Sequence, residues 1–298
     1  MLLGAIEAGG TKFVCAYGYE DGTVLERMEI PTTDPGETMD QVIAFFKKKQ
    51  ISAIGIGSFG PVIVNEDDPQ YGTITSPPKV KWKNYSMIKD LKEHLHIPIG
   101  LNTDVNVAAL GEATLGAAKG LDSCLYVTVG TGIGGGAVVN GTLLQGLSHP
   151  EMGHILIKRH KDDPFVGTCP YHKDCLEGLA SGPAIEERWG KKGHLLQEKE
   201  EVWDLEGYYL AQALMQYLLI LSPKRIILGG GVMKQAQIIP FVQKHLRELL
   251  NGYLDVSEIV DDGSGYIVNP GLGDNAGITG ALLLAVDAYR KQVKEGYM

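Results

Sequence analysis

The sequence predicts an α/β protein that consists of two related halves. In the first thirty residues, apolar runs alternate with turns, and Asp21-Gly22 between two of these runs predicts a β-hairpin. The same plan returns about 120 residues later, within residues 123–146, where Asn140-Gly141 takes the hairpin position. A chain of 298 residues is also long enough to bury the cores of two domains.

Each predicted strand is an apolar run that ends at turn residues, and each predicted helix is a longer amphipathic or alanine-rich run. Strands are expected at residues 2–7, 13–19, 24–30, 51–57, 98–101, 125–129, 134–139, 142–145, 224–228 and 266–268. Helices are expected at residues 38–49, 86–94, 107–115, 184–192, 202–221 and 278–292, with one more that ends at Leu250. The apolar side chains of the 202–221 helix are typical of a packing face.

The composition is that of an ordinary soluble protein, with 44% hydrophobic residues and a formal net charge of −9. Such an acidic chain disfavours a nucleic-acid partner bound through its phosphates. The N-terminal apolar run is too short for a signal peptide, and no apolar stretch reaches the length of a membrane span. Cys15 and Cys124 lie in apolar runs and are expected to be reduced core residues, as in a cytoplasmic protein.

The first turn of each half contains glycine and threonine, in Ala8-Gly9-Gly10-Thr11 and in Gly130-Thr131-Gly132. Glycine turns of this kind allow backbone N–H groups to approach an anion closely. An ordinary tight hairpin explains either turn alone, but the duplication favours two phosphate-binding loops that face each other. A third stretch, Gly229-Gly230-Gly231, follows a predicted strand and fits either a base or ribose lying on the backbone or a simple turn.

Two stretches match the dinucleotide pattern Gly-x-Gly-x-x-Gly literally, one from Gly55 and one from Gly130. The first continues into Pro61 and the second into a predicted strand, so neither opens a helix. Because that motif places pyrophosphate at a helix N-terminus, these matches do not indicate a nicotinamide or flavin enzyme.

Two of the four cysteines, Cys169 and Cys175, lie close in the sequence to three of the eight histidines, His154, His160 and His172. Cys169-x2-His172-x2-Cys175 places three donors within seven residues, and His154 could complete a tetrahedral shell, with His160 as an alternative fourth ligand. A closed shell of thiolates and imidazoles is the structural kind of zinc site. Two buried cysteines with hydrogen-bonded histidines nearby are the simpler alternative, but the short spacing favours zinc.

Three carboxylates are candidates for chemistry. Glu151 and Glu177 flank the cysteine and histidine cluster, and a metal that fixes this loop would also fix where both carboxylates point. Asp104 lies between a short predicted strand and a helix, where it is either an N-cap or a catalytic base.

Taken together, these motifs resemble the ROK family of sugar kinases and sugar-responsive repressors, and they cover essentially the whole chain in the expected order. The resembling stretches are Glu7-Ala8-Gly9-Gly10-Thr11-Lys12, Asn102-Thr103-Asp104-Val105-Asn106, Thr128-Val129-Gly130-Thr131-Gly132, Glu151-Met152-Gly153-His154 and the Cys/His cluster. The phrases GSFGP and CPYHKDCLEGLASGPAI are similar to the bacterial fructokinase branch. The resemblance implies an actin-like fold, shared by sugar kinases and heat-shock protein 70, with two domains and a cleft between them. We expect a small domain at 1–118 and a larger one at 119–298 that carries the zinc loop, with the last helix packed back on the small domain.

The resemblance also implies a role for each candidate residue. Asp104 would be the general base, and the sugar would be bound by Thr103, Glu151, His154 and Glu177. The triphosphate and its Mg²⁺ would be held by Glu7, Gly9, Gly10, Thr11, Lys12, Gly130, Thr131 and Gly132. The adenosine would lie on Gly229, Gly230 and Gly231, and structural zinc would be bound by His154, Cys169, His172 and Cys175.

The activity implied by the resemblance is ATP-dependent phosphorylation of D-fructose to fructose 6-phosphate by a cytoplasmic homodimer. One alternative is a kinase of the same family that acts on glucose, mannose or N-acetylmannosamine. Another is a regulator that senses sugar without turnover. Neither a nucleic acid nor a membrane is expected as a partner.

Overall fold

The computed structural model describes residues 1–76, 79–261 and 263–295. The chain forms two compact units. Unit 1 consists of Met1–Gly120, Leu143–His149 and Gly271–Met298, and unit 2 of Leu121–Thr142 and Pro150–Pro270. The division into functional domains at residue 118 stays a prediction.

The described residues contain ten β-strands. They are β1 (Leu3–Ala8), β2 (Lys12–Gly18), β3 (Val24–Pro31), β4 (Ile54–Ser58), β5 (Ile99–Thr103), β6 (Cys124–Val129), β7 (Ile133–Val139), β8 (Thr142–Leu143), β9 (Ile226–Gly229) and β10 (Ile267–Val268). The α-helices are α1 (Pro35–Lys47), α2 (Met87–Leu95), α3 (Asp104–Thr114), α4 (Leu176–Ala180), α5 (Gly182–Trp189), α6 (Glu200–Leu221), α7 (Ile238–Leu250), α8 (Ser257–Val260) and α9 (Ala276–Glu295).

Unit 1 contains a five-stranded sheet in the order β3-β2-β1-β4-β5. Strands β1, β4 and β5 are parallel, whereas β2 and β3 are antiparallel to their neighbours. Apolar side chains of α9 cover one face, and those of α1 and α2 pack with the fully buried Trp82 on the other. Helix α9 lies very close to β4 because Gly55 has no side chain: a Cβ there would be 1.9 Å from the carbonyl oxygen of Ala281.

Unit 2 contains a second five-stranded sheet in the order β8-β7-β6-β9-β10. This order matches the sheet of unit 1 strand for strand, with β6, β9 and β10 parallel and β7 antiparallel to β6. The long helix α6 is largely buried and packs against α7. The duplicated plan predicted from the two glycine turns is therefore confirmed.

Most predicted strands and helices are present, with ends that differ by a few residues. The strand expected at 142–145 is only two residues long, and the short helices α4 and α8 were not predicted, because four or five residues carry too little periodicity. Cys15 and Cys124 are buried and are not part of a disulfide, as expected. Among the described residues, none of the helices combines the length and the apolar character that crossing a membrane requires.

Candidate functional site

The candidate residues of unit 1 lie where the parallel strands end. Glu7 on β1 is in register with Gly57 on β4, and Gly57 is in register with Asn102 on β5. Because Gly57 has no side chain, the start of α3 lies directly against this row: a Cβ there would be 3.2 Å from the Cβ of Val107 and 3.3 Å from the Cα of Asp104. The carboxyl ends of parallel strands thus bring Glu7 and Asp104 to the same edge of one sheet.

Asp104 is the first residue of α3, and Thr103 is the N-cap. The hydroxyl oxygen of Thr103 accepts from the backbone N–H of Asn106 at 3.2 Å, and Asp104 Oδ1 accepts from the N–H of Val105 at 2.8 Å. The alternative that Asp104 is the cap is therefore wrong. Its carboxylate lies at a helix N-terminus, where the helix dipole favours negative charge.

The start of α3 is further fixed by buried amides. Asn102 Oδ1 accepts from the N–H of Thr103 and from the side-chain amide of Asn106, each at 2.9 Å. Asn102, Thr103 and Asn106 are all buried. These bonds hold Asp104 in one place relative to the sheet, as a catalytic group requires.

Glu7 is partly buried beside α9, and a Cβ at Gly277 would lie 2.8 Å from its carboxyl carbon. Burial raises the pKa of Glu7 above its ordinary value, while the positive charges of Arg27 and Lys12 act in the opposite direction. A bound cation would favour the ionised carboxylate in the same way.

The first glycine turn connects β1 to β2. The N–H of Gly9 donates to the carbonyl of Lys12 at 3.0 Å, and the exposed ammonium of Lys12 pairs with Glu29 at 2.5 Å. Thr32 holds this turn from the end of β3, since its hydroxyl donates to the carbonyl of Gly9 and its N–H donates to the carbonyl of Thr11. Gly10 has open space around it, as a turn that receives a ligand requires.

The second glycine turn connects β6 to β7 in the same way. The N–H of Gly130 donates to the carbonyl of Gly132 at 2.9 Å, and the N–H of Gly182 donates to the carbonyl of Gly130 at 2.7 Å. Glu177 also contacts this turn, because its Oε2 accepts from the N–H of Ile133 at 2.9 Å. One of the two flanking carboxylates predicted from the sequence thus lies against the second turn.

The third glycine stretch lies beside the second turn because β6 and β9 are paired neighbours. Gly230 has φ +92°, and a Cβ there would be 2.4 Å from the carbonyl oxygen of Val129. Gly229 belongs to β9 and packs against the ring of Tyr126. Only glycine fits at Gly230, so this position is explained by the close approach of two strand ends.

A cavity of about 520 Å³ in unit 2 brings the second and third glycine stretches together. This volume is typical of small-molecule sites. The lining residues are Gly130, Thr131, Gly182, Pro183, Ile185, Glu186, Lys192, Gly193, His194, Trp203, Gly231, Val232 and Gln235. Of the triple glycine, Gly231 belongs to the lining, whereas the positions of Gly229 and Gly230 are fixed by packing.

The predicted metal ligands come together. The donor atoms of His154, Cys169, His172 and Cys175 all lie within 4.8 Å of one another. The Sγ of Cys169 is 3.8 Å from Nδ1 of both His154 and His172, and the Sγ of Cys175 is 3.7 Å from Nδ1 of His154. Tetrahedral zinc with ordinary bond lengths would place sulfur and nitrogen about 3.6 Å apart. The donor set and its spacing therefore fit zinc.

Burial also raises the pKa of the Cys175 thiol to about 11, with the neighbouring Cys169 acting in the same direction. Two thiolates this close need a cation to be stable. The alternative ligand His160 is not part of the group; its ring packs against Tyr208 with 5.0 Å between centroids. Glu151 is exposed and directly precedes the short 3-10 helix Met152–His154, which carries the first ligand.

Sequence reasoning missed Thr32 and Gly182, which hold the two turns, and the side chains of Trp203 and Gln235 in the cavity. Gly182 had a signal: Ser181-Gly182-Pro183 is a helix start, since Ser181 accepts from the N–H of Ala184 and Pro183 occupies the first turn of α5. No local sequence pattern marks Thr32, Trp203 or Gln235, because the turn and the cavity bring together residues that are far apart in the chain.

The ROK family profile matches residues 3–288 of this sequence. The chain belongs to the ROK family. It is 59% identical over 295 residues to a Bacillus subtilis (strain 168) protein named "Putative fructokinase", with 99% of each chain covered. It is 47% identical over 290 residues to the fructokinase of Pediococcus pentosaceus, covering 97% of this chain and 99% of that protein.

The ROK assignment also fixes the fold class. The crystal structure of the ROK hexokinase from Thermus thermophilus superposes with a TM-score of 0.78 at 26% identity, covering 99% of this chain and 100% of that one. The two sheets with the same strand order are those of the actin-like fold of ROK sugar kinases. The fold class predicted from the sequence is confirmed.

In this ROK protein, Thr103→Ala should lower the free energy of unfolding by about 1 kcal/mol, because α3 loses its N-cap. Thr103→Ser is the matched control, since it removes the same methyl group and keeps the capping oxygen. Urea unfolding at neutral pH measures both. Equal losses for Ala and Ser would contradict the capping role.

Proposed function

We propose that this protein is an ATP-dependent fructokinase that converts D-fructose to fructose 6-phosphate. The observation that carries the proposal is the high identity to the named fructokinases over nearly the whole length of each chain. The identity to the Thermus thermophilus hexokinase is lower, at 26%. The alternative substrates for a kinase of this family are glucose, mannose and N-acetylmannosamine.

Asp104 is the proposed general base, which accepts the proton of the 6-hydroxyl as this oxygen attacks the γ-phosphorus of ATP; the bond between that phosphorus and the β,γ-bridging oxygen breaks, and ADP leaves. Phosphoryl transfer needs in-line placement of the hydroxyl and the γ-phosphate more than it needs covalent chemistry. The carboxylate oxygen of a base must lie within about 2.6 to 3.2 Å of the hydroxyl oxygen whose proton it accepts. The fixed position of Asp104 at the start of α3 supports this role.

The two glycine turns are proposed to donate backbone N–H groups to the phosphates, with Lys12 as an additional positive charge. Gly10 and Gly231 have no atom near the position of a Cβ, so their backbones are open to a ligand. The cavity of unit 2 is the proposed adenosine site, because Gly130, Thr131 and Gly231 line it together with apolar side chains. Bound Mg²⁺ would neutralise part of the phosphate charge of ATP. Glu7 is the carboxylate that we propose to help hold this Mg²⁺.

Thr103, Glu151, His154 and Glu177 are the proposed sugar-binding residues. Nδ1 of His154 lies near the sulfurs of Cys169 and Cys175. The other ring nitrogen, Nε2, is the one proposed to bind sugar. A ring fixed in this way would present Nε2 to a sugar hydroxyl in one orientation.

We propose that zinc is bound by His154, Cys169, His172 and Cys175 in a structural role. The burial of both cysteines and the separations of 3.7 and 3.8 Å support it. A closed four-ligand shell leaves no position for substrate.

A homodimer and a cytoplasmic location are also proposals. The four cysteines all lie within the described residues and form no disulfide, which fits a reducing compartment, where thiols persist.

In an assay that couples ADP release to NADH oxidation, the protein should phosphorylate D-fructose fastest among hexoses at equal concentration. Glucose, mannose and N-acetylmannosamine are the comparison sugars, and the product should be fructose 6-phosphate by NMR. Faster turnover of another hexose would replace the proposed substrate, and binding without any turnover would favour a sugar sensor.

Asp104→Asn should lower kcat by about a hundredfold to ten-thousandfold, because the amide cannot accept the hydroxyl proton. The variant keeps a carbonyl oxygen for the N–H of Val105, so the fold and the dissociation constant of fructose should change little. Turnover and calorimetric fructose binding are measured on the same preparation. Turnover close to that of the wild type would remove Asp104 as the base.

Protein purified without added zinc should contain about one zinc ion per chain by plasma mass spectrometry. Cys169→Ala should lose the metal, and Cys124→Ala is the matched control, since Cys124 is also buried but lies outside the cluster. Wild-type protein without zinc, or full zinc content in Cys169→Ala, would exclude the proposed site.

A further inference from the structure

Glu177 connects helix α4 to the second glycine turn. Its Oε2 accepts the N–H of Ile133 at 2.9 Å. The contact with the turn is close, because a Cβ at Gly132 would lie 2.7 Å from the same oxygen. Glycine at this position allows the carboxylate to lie directly against the backbone of the turn.

The same short segment holds the other end of the turn. The N–H of Gly182 donates to the carbonyl of Gly130 at 2.7 Å. Ser181, the residue before Gly182, is bonded to Glu177: its N–H donates to the carbonyl of Glu177 at 3.1 Å. Residues 177–182 therefore fix both ends of the turn as one unit.

The first glycine turn is fixed differently. Thr32 holds it with a hydroxyl donor to Gly9 and a backbone donor to Thr11, and both of these groups are neutral. The second turn is held by a carboxylate instead. A carboxylate beside a turn that binds phosphates repels them by Coulomb's law. The hydrogen bond from the turn to this carboxylate must therefore provide a benefit that offsets the repulsion.

We propose that Glu177 is a positioning residue for the nucleotide: its carboxylate fixes the Gly130–Gly132 turn in the conformation that binds ATP, before any sugar arrives. This inference rests on the proposed ATP site and adds a second task to the proposed sugar contact of Glu177. Because one side chain serves both ligands, fructose that engages Glu177 also affects the turn that holds the nucleotide.

The loop that carries Cys169, His172 and Cys175 supports the position of Glu177. The chain enters α4 directly after Cys175, where the N–H of Leu176 donates to the carbonyl of Ile155 at 3.0 Å. The N–H of Thr168 donates to the carbonyl of Gly178 at 2.9 Å, and a Cβ at Gly178 would lie 1.8 Å from a carbonyl oxygen of the loop. Residues next to the proposed zinc ligands thus hold helix α4 in place.

The test measures the dissociation constant of MgADP by isothermal titration calorimetry in the absence of sugar. Glu177→Ala, which lacks the acceptor for the N–H of Ile133, should bind MgADP about fivefold or more weakly. Glu177→Gln should stay within about twofold of the wild type, because its amide oxygen still accepts this N–H. Both variants lose the same charge, so their difference isolates the hydrogen bond.

Glu187→Ala is the matched control, since it removes an exposed carboxylate from α5 and should leave MgADP affinity unchanged. Glu177→Met, which has a similar length and no acceptor, replaces Ala if that variant does not fold, and should show the same loss. Unchanged affinity in Ala or Met, or equal losses in Ala and Gln, would overturn the inference. Wild-type protein that binds no MgADP would instead contradict the proposed kinase function.

Discussion

The parallel pairing of the central strands is the constraint on which the candidate site depends. In unit 1 the pairing places Glu7, Gly57 and Asn102 in one row, and it sets the start of α3 at the same edge. In unit 2 the pairing of β6 with β9 places the turn after Val129 beside Gly230. Residues that are about a hundred positions apart in the chain become neighbours because parallel strands end at a common edge.

Glycine has two separate tasks in this protein, and the sequence alone does not separate them. The literal dinucleotide pattern that starts at Gly55 has a packing role: Gly55 allows α9 to approach β4, and Gly57 lies against Val107 of α3. A Cβ at Gly280 would likewise lie 1.7 Å from the carbonyl oxygen of Val107. By contrast, Gly10 and Gly231 have open space, which packing does not require. Only coordinates distinguish a glycine that admits a helix from one that admits a ligand.

The sequence predicted what local pattern or repetition encodes. The repeated strand and turn order predicted two equivalent sheets, and the spacing of Cys169, His172 and Cys175 predicted three donor side chains that do come together. The spacing left both His154 and His160 open as the fourth donor, and the structure places His154 with the other three. Thr32 and the contact of Glu177 with Ile133 escaped prediction, because these hydrogen bonds span 23 and 44 positions and leave no periodic signal.

The two turns share a sequence pattern but not a means of support, and this difference follows from the chain between the strands. In unit 1, β3 continues into Thr32, which reaches the turn at once. In unit 2, the counterpart of β3 is β8, which has only two residues. It is too short to carry a side chain to the second turn as β3 carries Thr32 to the first. Helices α4 and α5 supply the missing contacts, and a helix of five residues is too short to be stable by itself. Cys175, the last residue of the proposed zinc cluster, directly precedes this helix, so bound zinc would fix the helix that supports the turn.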